Sequence, residues 1–109
     1  MIKVVVALNR RPDLSAEQFR SHFYATHIDL LRQLPGLRRL VVNFALPAPD
    51  GEPAYDAFGE DWFDSVDDMR TAFGSPAGQA VIADSANFID MRRFKMVVVD
   101  EDEVVLASA

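Results

Sequence analysis

Ile2-Lys3-Val4-Val5-Val6-Ala7-Leu8 is a β-branched run with little polarity on either face, and Arg11-Pro12-Asp13 breaks it a few residues later. Strands buried on both sides read as continuous apolar runs, so this spacing predicts a strand covered on both faces. A helix is expected next. Ser15 is a good N-cap and Gln18 stands three residues on, forming a capping box. The helix should run to about Leu34 and stop at Pro35-Gly36.

The rest of the chain completes the pattern. Leu37 to Leu46 predicts a second strand, with Leu40, Val42, Phe44 and Leu46 alternating against Arg39, Val41 and Asn43. Pro47-Ala48-Pro49-Asp50-Gly51-Glu52-Pro53 predicts a loop, either a hairpin connection or a flap. Tyr55 to Phe63 predicts a third strand with Asp56, Phe58, Glu60 and Trp62 on one face and Tyr55, Ala57, Gly59 and Phe63 opposite. Gly59 there signals a bulge or close packing. Ser65 caps a short helix to Phe73, with acids in the first turn as the helix dipole prefers, and Gly74 ends it. Ser75-Pro76 starts another helical stretch to about Ala83, with a turn persisting toward Ile89. Arg93 to Val99 predicts the last long strand, and Val104-Val105-Leu106 an extension past a kink at Asp100-Glu101-Asp102.

The order β-α-β-β-α-β is an α+β, ferredoxin-like unit: a four-stranded antiparallel sheet with both helical regions on one face. Val4 to Val6 and Val97 to Val99 are apolar on both faces, so the open sheet face also needs cover. In a chain this short a second copy is the expected cover, giving a homodimer with sheets face to face, a dimeric α+β barrel built from one domain over residues 1–109.

Composition bounds the partners. Eleven basic against seventeen acidic residues give a net charge of −6, which disfavours nucleic acid and anionic membranes. The absence of cysteine excludes disulfides and thiol chemistry. No apolar run approaches a membrane span, and the apolar N-terminus is too short for a signal peptide, so a cytoplasmic location is expected.

The chemistry centres on His27. At about 100° per residue, Phe19, Leu30, Phe23, Leu34 and His27 fall between roughly 0° and 80° on the helix, one apolar stripe. An imidazole aimed at an apolar interior is a candidate general base or acid. A lone histidine on an apolar face is also a common hydrogen-bonded core residue. Phe23 and Tyr24 are its candidate neighbours at a substrate, as an apolar wall and a donor. His22 falls at roughly 300°, off the stripe. Asp56 and Glu60 lie about 13 Å apart by strand rise, too far for a close acid pair, but either could orient His27 or bind a substrate hydroxyl. Phe58 and Trp62 are candidate walls and Asn43 a candidate donor to a substrate carbonyl. No metal is expected, because His22 and His27 at i, i+5 sit about 140° apart on an α-helix whereas metal pairs favour i, i+3 or i+4. No phosphate-cradling loop or Gly-x-Ser-x-Gly elbow appears, and no cofactor is expected.

Phe19-Arg20-x-His22-Phe23-x-x-x-His27, then Leu34-Pro35-Gly36-Leu37-Arg38-Arg39, then Tyr55-Asp56-Ala57-x-x-Glu60-x-Trp62-Phe63-Asp64-Ser65 together resemble the EthD family of small dimeric α+β barrel proteins. Arg11-Pro12-Asp13-Leu14-Ser15 and Phe88-Ile89-Asp90 fit the same pattern. The chain departs from it at Ala57, where Gly is usual, and at Ile28-Asp29, where Ala-Pro or Gly-Pro follows the histidine. The resemblance implies a dimer with a pocket in each subunit between sheet and helices, and it aligns His27 with the family's usual histidine. It implies a cofactor-independent enzyme of cyclase, isomerase or dehydratase type, moving a proton on a small hydrophobic cyclic or aromatic oxygenated compound. It leaves open a quinone-forming cofactor-free monooxygenase, or a non-catalytic accessory protein of a degradation pathway such as ether degradation.

Overall fold

The computed structural model describes residues 1–107. Strand β1 (Ile2–Leu8) is followed by helix α1 (Ala16–His22), a π-helical turn (Phe23–His27) and a short α2 (Ile28–Leu31). Strands β2 (Arg39–Phe44) and β3 (Ala57–Phe63), helices α3 (Val66–Gly74) and α4 (Pro76–Phe88), and β4 (Lys95–Asp100) complete the chain. The sheet runs β2-β3-β1-β4 with every pairing antiparallel, the expected ferredoxin-like α+β topology.

Strand period decides which side chains meet the helices. Val4 and Leu8 of β1, with Ala57 and Phe63 of β3, are buried against Phe19, Phe23, Val81 and Phe88. Leu40, Val42 and Phe44 of β2 pack on the same side. The ladder runs through Gly59 without a bulge, so the close-packing alternative holds: a Cβ at Gly59 would stand 2.9 Å from Val6 Cγ2.

The first helix keeps its expected start but not its regularity. Ser15 makes both capping-box bonds with Gln18. At Phe23–His27 the turn closes from the Ile28 N–H to the Phe23 carbonyl, an i→i+5 bond. Residues spaced by four overshoot an α-helical turn by about 40° each time, so Leu31 would stand about 120° round from Phe19. The wider turn absorbs that drift, and Phe19, Phe23, His27 and Leu31 are all buried in one column. Leu31 therefore takes the core place expected of Leu30, which is only half-buried. The chain then reverses at Gly36, whose φ of 80° suits glycine.

Ser75 serves two helices. Its N–H donates to the Ala72 carbonyl at the end of α3, and its hydroxyl accepts from the Gly78 N–H to cap α4. Helix α4 continues unbroken to Phe88, through the turn expected past Ala83, because Val81, Ser85 and Phe88 bury one side of it. The Ala48–Gly51 bridge closes the proline-rich loop. Strand β4 is an exposed edge, with Met96 and Val97 more than half accessible. The expected strand extension at Val104-Val105-Leu106 is not formed; these residues are exposed coil, having no neighbouring strand within the chain to pair with. Among the described residues no helix is long and apolar enough to cross a membrane.

Candidate active site

His27 projects from the π-helical turn toward α4, where Asp84 holds it: His27 Nδ1 lies 2.9 Å from Asp84 Oδ2. His22 Nε2 reaches the same carboxylate at 3.0 Å from each oxygen, and Asn87 donates to Oδ1 at 3.1 Å. The two histidines were expected on different faces. The π turn corrects that expectation: its wider turn reduces the angle between positions five apart, and both imidazoles reach Asp84.

The charges follow from these contacts. Burial opposes ionisation of Asp84, but hydrogen bonds from Asn87, His27 and His22 outweigh it and hold the carboxyl below its usual range. Burial lowers the His27 pKa, and the Asp84 contact offsets that only in part. A neutral imidazole donating from Nδ1 to a carboxylate leaves the Nε2 lone pair free. Among the described residues Nε2 has no protein partner, and it is not sealed from the space beside it. This is the histidine–carboxylate arrangement that orients a general base.

That space is an apolar cavity of about 360 Å³ between sheet and helices. Phe23, Leu31 and Val81 form the helix wall beside His27, and Val4, Val6 and Leu40 the sheet wall. The half-exposed Ile82, Met91 and Met96 mark its mouth. Gly59 keeps room in the floor. Among the described residues one further ionisable side chain lines the cavity: Asp61 of β3, 5% exposed, whose carboxyl burial pushes up to about 7.

The residues expected around His27 divide between two sides of the sheet. Phe23 lines the cavity with it, their rings 5.4 Å apart. Tyr24 points away, exposed and 5.9 Å from the Phe44 ring. Phe58, Glu60 and Trp62 alternate onto the open sheet face, since their neighbours Ala57, Gly59, Asp61 and Phe63 take the helix side. Glu60 there binds Lys3 at 2.8 Å and accepts from Asn43 at 3.1 Å. Trp62 lies beneath Lys3 and Arg39 and donates to Glu101 at 3.1 Å, while Phe58 packs on Tyr55. Asp56 precedes β3 and is held by Arg10 through its backbone N–H at 2.8 Å and its guanidinium at 2.7 Å. Neither Asp56 nor Glu60 orients His27, and Asn43 cannot donate into this cavity from the far side of the sheet; Asp84 takes the orienting role.

Sequence signals existed for both missed carboxyls. Asp84 lies between Val81 and Phe88 on the buried side of α4, a charge on an apolar stripe that falls just past Ala83, where the expected helix reduced to a single turn. Asp61 is the charged member of the Ala57, Gly59, Phe63 face. Among the described residues no group of three or more His, Cys, Asp or Glu side chains is arranged to hold a metal ion.

The EthD domain model matches residues 11–92, a span containing His27, Asp61 and Asp84. An uncharacterised 11.0 kDa protein in the thcB-thcC intergenic region of Rhodococcus erythropolis is 30% identical over 105 residues, covering 96% of this chain and 99% of that protein. The crystal structure of an ethyl tert-butyl ether d (EthD) family protein from Bacillus halodurans is similar with a TM-score of 0.80 at 25% identity, over 94% of this chain and 100% of the other. SnoaB, a cofactor-independent oxygenase from Streptomyces nogalater, shares the fold with a TM-score of 0.67 at 12% identity, over 95% of each chain. The matched span takes in β2, β3 and every helix around the cavity, and on it the chain belongs to the EthD family.

Proposed function

We propose that this protein is a cofactor-independent enzyme that moves a proton on a small hydrophobic cyclic compound, with His27 Nε2 as the base. The observation that carries the reading is the pairing of His27 Nδ1 with Asp84 at 2.9 Å while Nε2 stands free beside an apolar cavity. Asp84 fixes the tautomer and stabilises the imidazolium that forms when Nε2 takes a proton. The carbon acid lies next to a ring carbonyl, and the apolar walls of Phe23, Leu31 and Val4 exclude water from it. The same base would deprotonate a hydroxylated aromatic ring, the opening step of cofactor-free oxygenation, a second reading favoured by the fold shared with SnoaB. Enzymatic units are homodimers in this reading, since Val97 and Met96 leave an apolar edge uncovered.

Solvent-proton exchange tests it without the natural substrate. In D2O, wild-type protein should accelerate deuterium uptake at the α-carbons of 2-indanone or 2-tetralone, followed by NMR, and His27→Gln should not. Acceleration that survives in His27→Gln would remove His27 from the chemistry. Oxygen uptake with naphthols, measured with an electrode, separates the oxygenase reading from simple proton transfer.

A further inference from the structure

The fold gains nothing from a carboxyl at position 61. Its cross-strand neighbours are Val4 and Leu40, and its own strand face otherwise carries Ala57, Gly59 and Phe63. A leucine would satisfy those neighbours better, because an acid taken out of water without a partner costs stability. Desolvation alone shifts this carboxyl, so no charged or hydrogen-bonding group of the described protein compensates it. The side chain is 5% exposed, yet its oxygens are not sealed in; they reach the cavity that His27 lines from the opposite wall.

We propose that Asp61 selects the ligand: its carboxyl, on the sheet wall, hydrogen-bonds an oxygen of a neutral ring compound whose reacting carbon faces His27 on the helix wall. This rests on the reading of the cavity as a substrate site. Asp61 and His27 stand on facing walls of an otherwise largely apolar space, so the ligand presents an oxygen to the sheet wall and its reacting C–H to the helix wall, across an apolar frame. The acid form of Asp61 both donates and accepts, which suits a carbonyl or a hydroxyl equally. An ammonium ligand fits worse, since it would shed its hydration for a single counter-charge in an apolar space.

Three probes with one carbon frame test this: indane, 2-indanol and 2-aminoindane, their dissociation constants measured at pH 6 on wild type, Asp61→Asn, Asp61→Leu and His27→Gln. Wild type should bind 2-indanol at least about tenfold more tightly than indane or 2-aminoindane. His27→Gln should keep that preference, Asp61→Asn should keep part of it, and Asp61→Leu should bind indane and 2-indanol alike. Asp61→Leu removes a buried acid and is expected to fold at least as well as wild type, so loss of preference is not loss of structure. A preference that persists in Asp61→Leu and vanishes in His27→Gln overturns the proposal, as does tighter binding of 2-aminoindane or binding of none of the three. Failure here with intact α-proton exchange would remove Asp61 alone; failure of exchange with intact selectivity would remove only the catalytic reading.

Discussion

His27 Nδ1 lies 2.9 Å from Asp84 Oδ2, joining the π-helical turn to α4 through one buried contact. The carboxylate also accepts from His22, so a single acid fixes two imidazoles whose rings both pack against Phe88. That contact sets the predictions for the site.

Replacing the base separates catalysis from structure. His27→Gln should remain folded and lower α-proton exchange by about two to four powers of ten. His27→Ala should be as inactive, and its melting temperature reports the packing contribution. If Ala costs about 1–3 kcal/mol of stability that Gln restores without loss of exchange, His27 is a core residue only. His22→Ala, half-exposed at its imidazole, should spare most of the activity.

Asp84→Asn keeps the volume but leaves one amide oxygen for three donors, His27, His22 and Asn87. It should cost about 1–3 kcal/mol in chemical denaturation and slow exchange at least about tenfold, because the imidazole tautomer is no longer fixed. An Asp84→Asn protein with wild-type exchange would show that the contact is purely structural.

Stability should respond to pH through two opposed groups. The His27 pKa is lowered from 6.5 in the fold by burial, so its contribution is present above that value and is lost as pH falls through the folded pKa. The Asp61 pKa is raised from 3.8 to about 7, so its contribution is present below the lower value and is lost as pH rises through the upper one. The stability advantage of Asp61→Asn over wild type, read by denaturant melts, should therefore grow from pH 4 to pH 7 and level off above about pH 8, reaching at most on the order of 4 kcal/mol. A flat difference across that range would place the carboxyl in water.

Gly59→Ala should narrow the cavity and push Val6, costing about 1–3 kcal/mol and weakening binding of bicyclic probes. Val6→Ala in the same chain should restore much of both, since the added methyl meets Val6 Cγ2 at 2.9 Å. No rescue in the double variant would mean that the strain lies elsewhere.

Light scattering should give a molar mass twice that of the chain at micromolar concentration. Val97→Lys, on the open face of β4, should yield a monomer. A dimer unaffected by that charge would place the contact on another surface.

The β-branched run Ile2–Leu8, the Ser15 capping box and the alternation of β3 were legible as local patterns, and they were enough for the topology. Backbone sterics and apolar period act over a few residues, so sequence carries them directly. Sequence also put His27 on the buried stripe. It did not provide the partner of His27, because that partner lies 57 positions away on another helix and its capture depends on a π turn that no local propensity announces. Asp56 and Glu60 looked eligible by residue type, but Arg10 and Lys3 claim them, and strand alternation turns Glu60 to the far side of the sheet. The same alternation turns Asp61 inward. Which carboxyl meets which imidazole was decided by the packing of α4 on the first helix and the sheet, a tertiary choice that no spacing along the chain encodes.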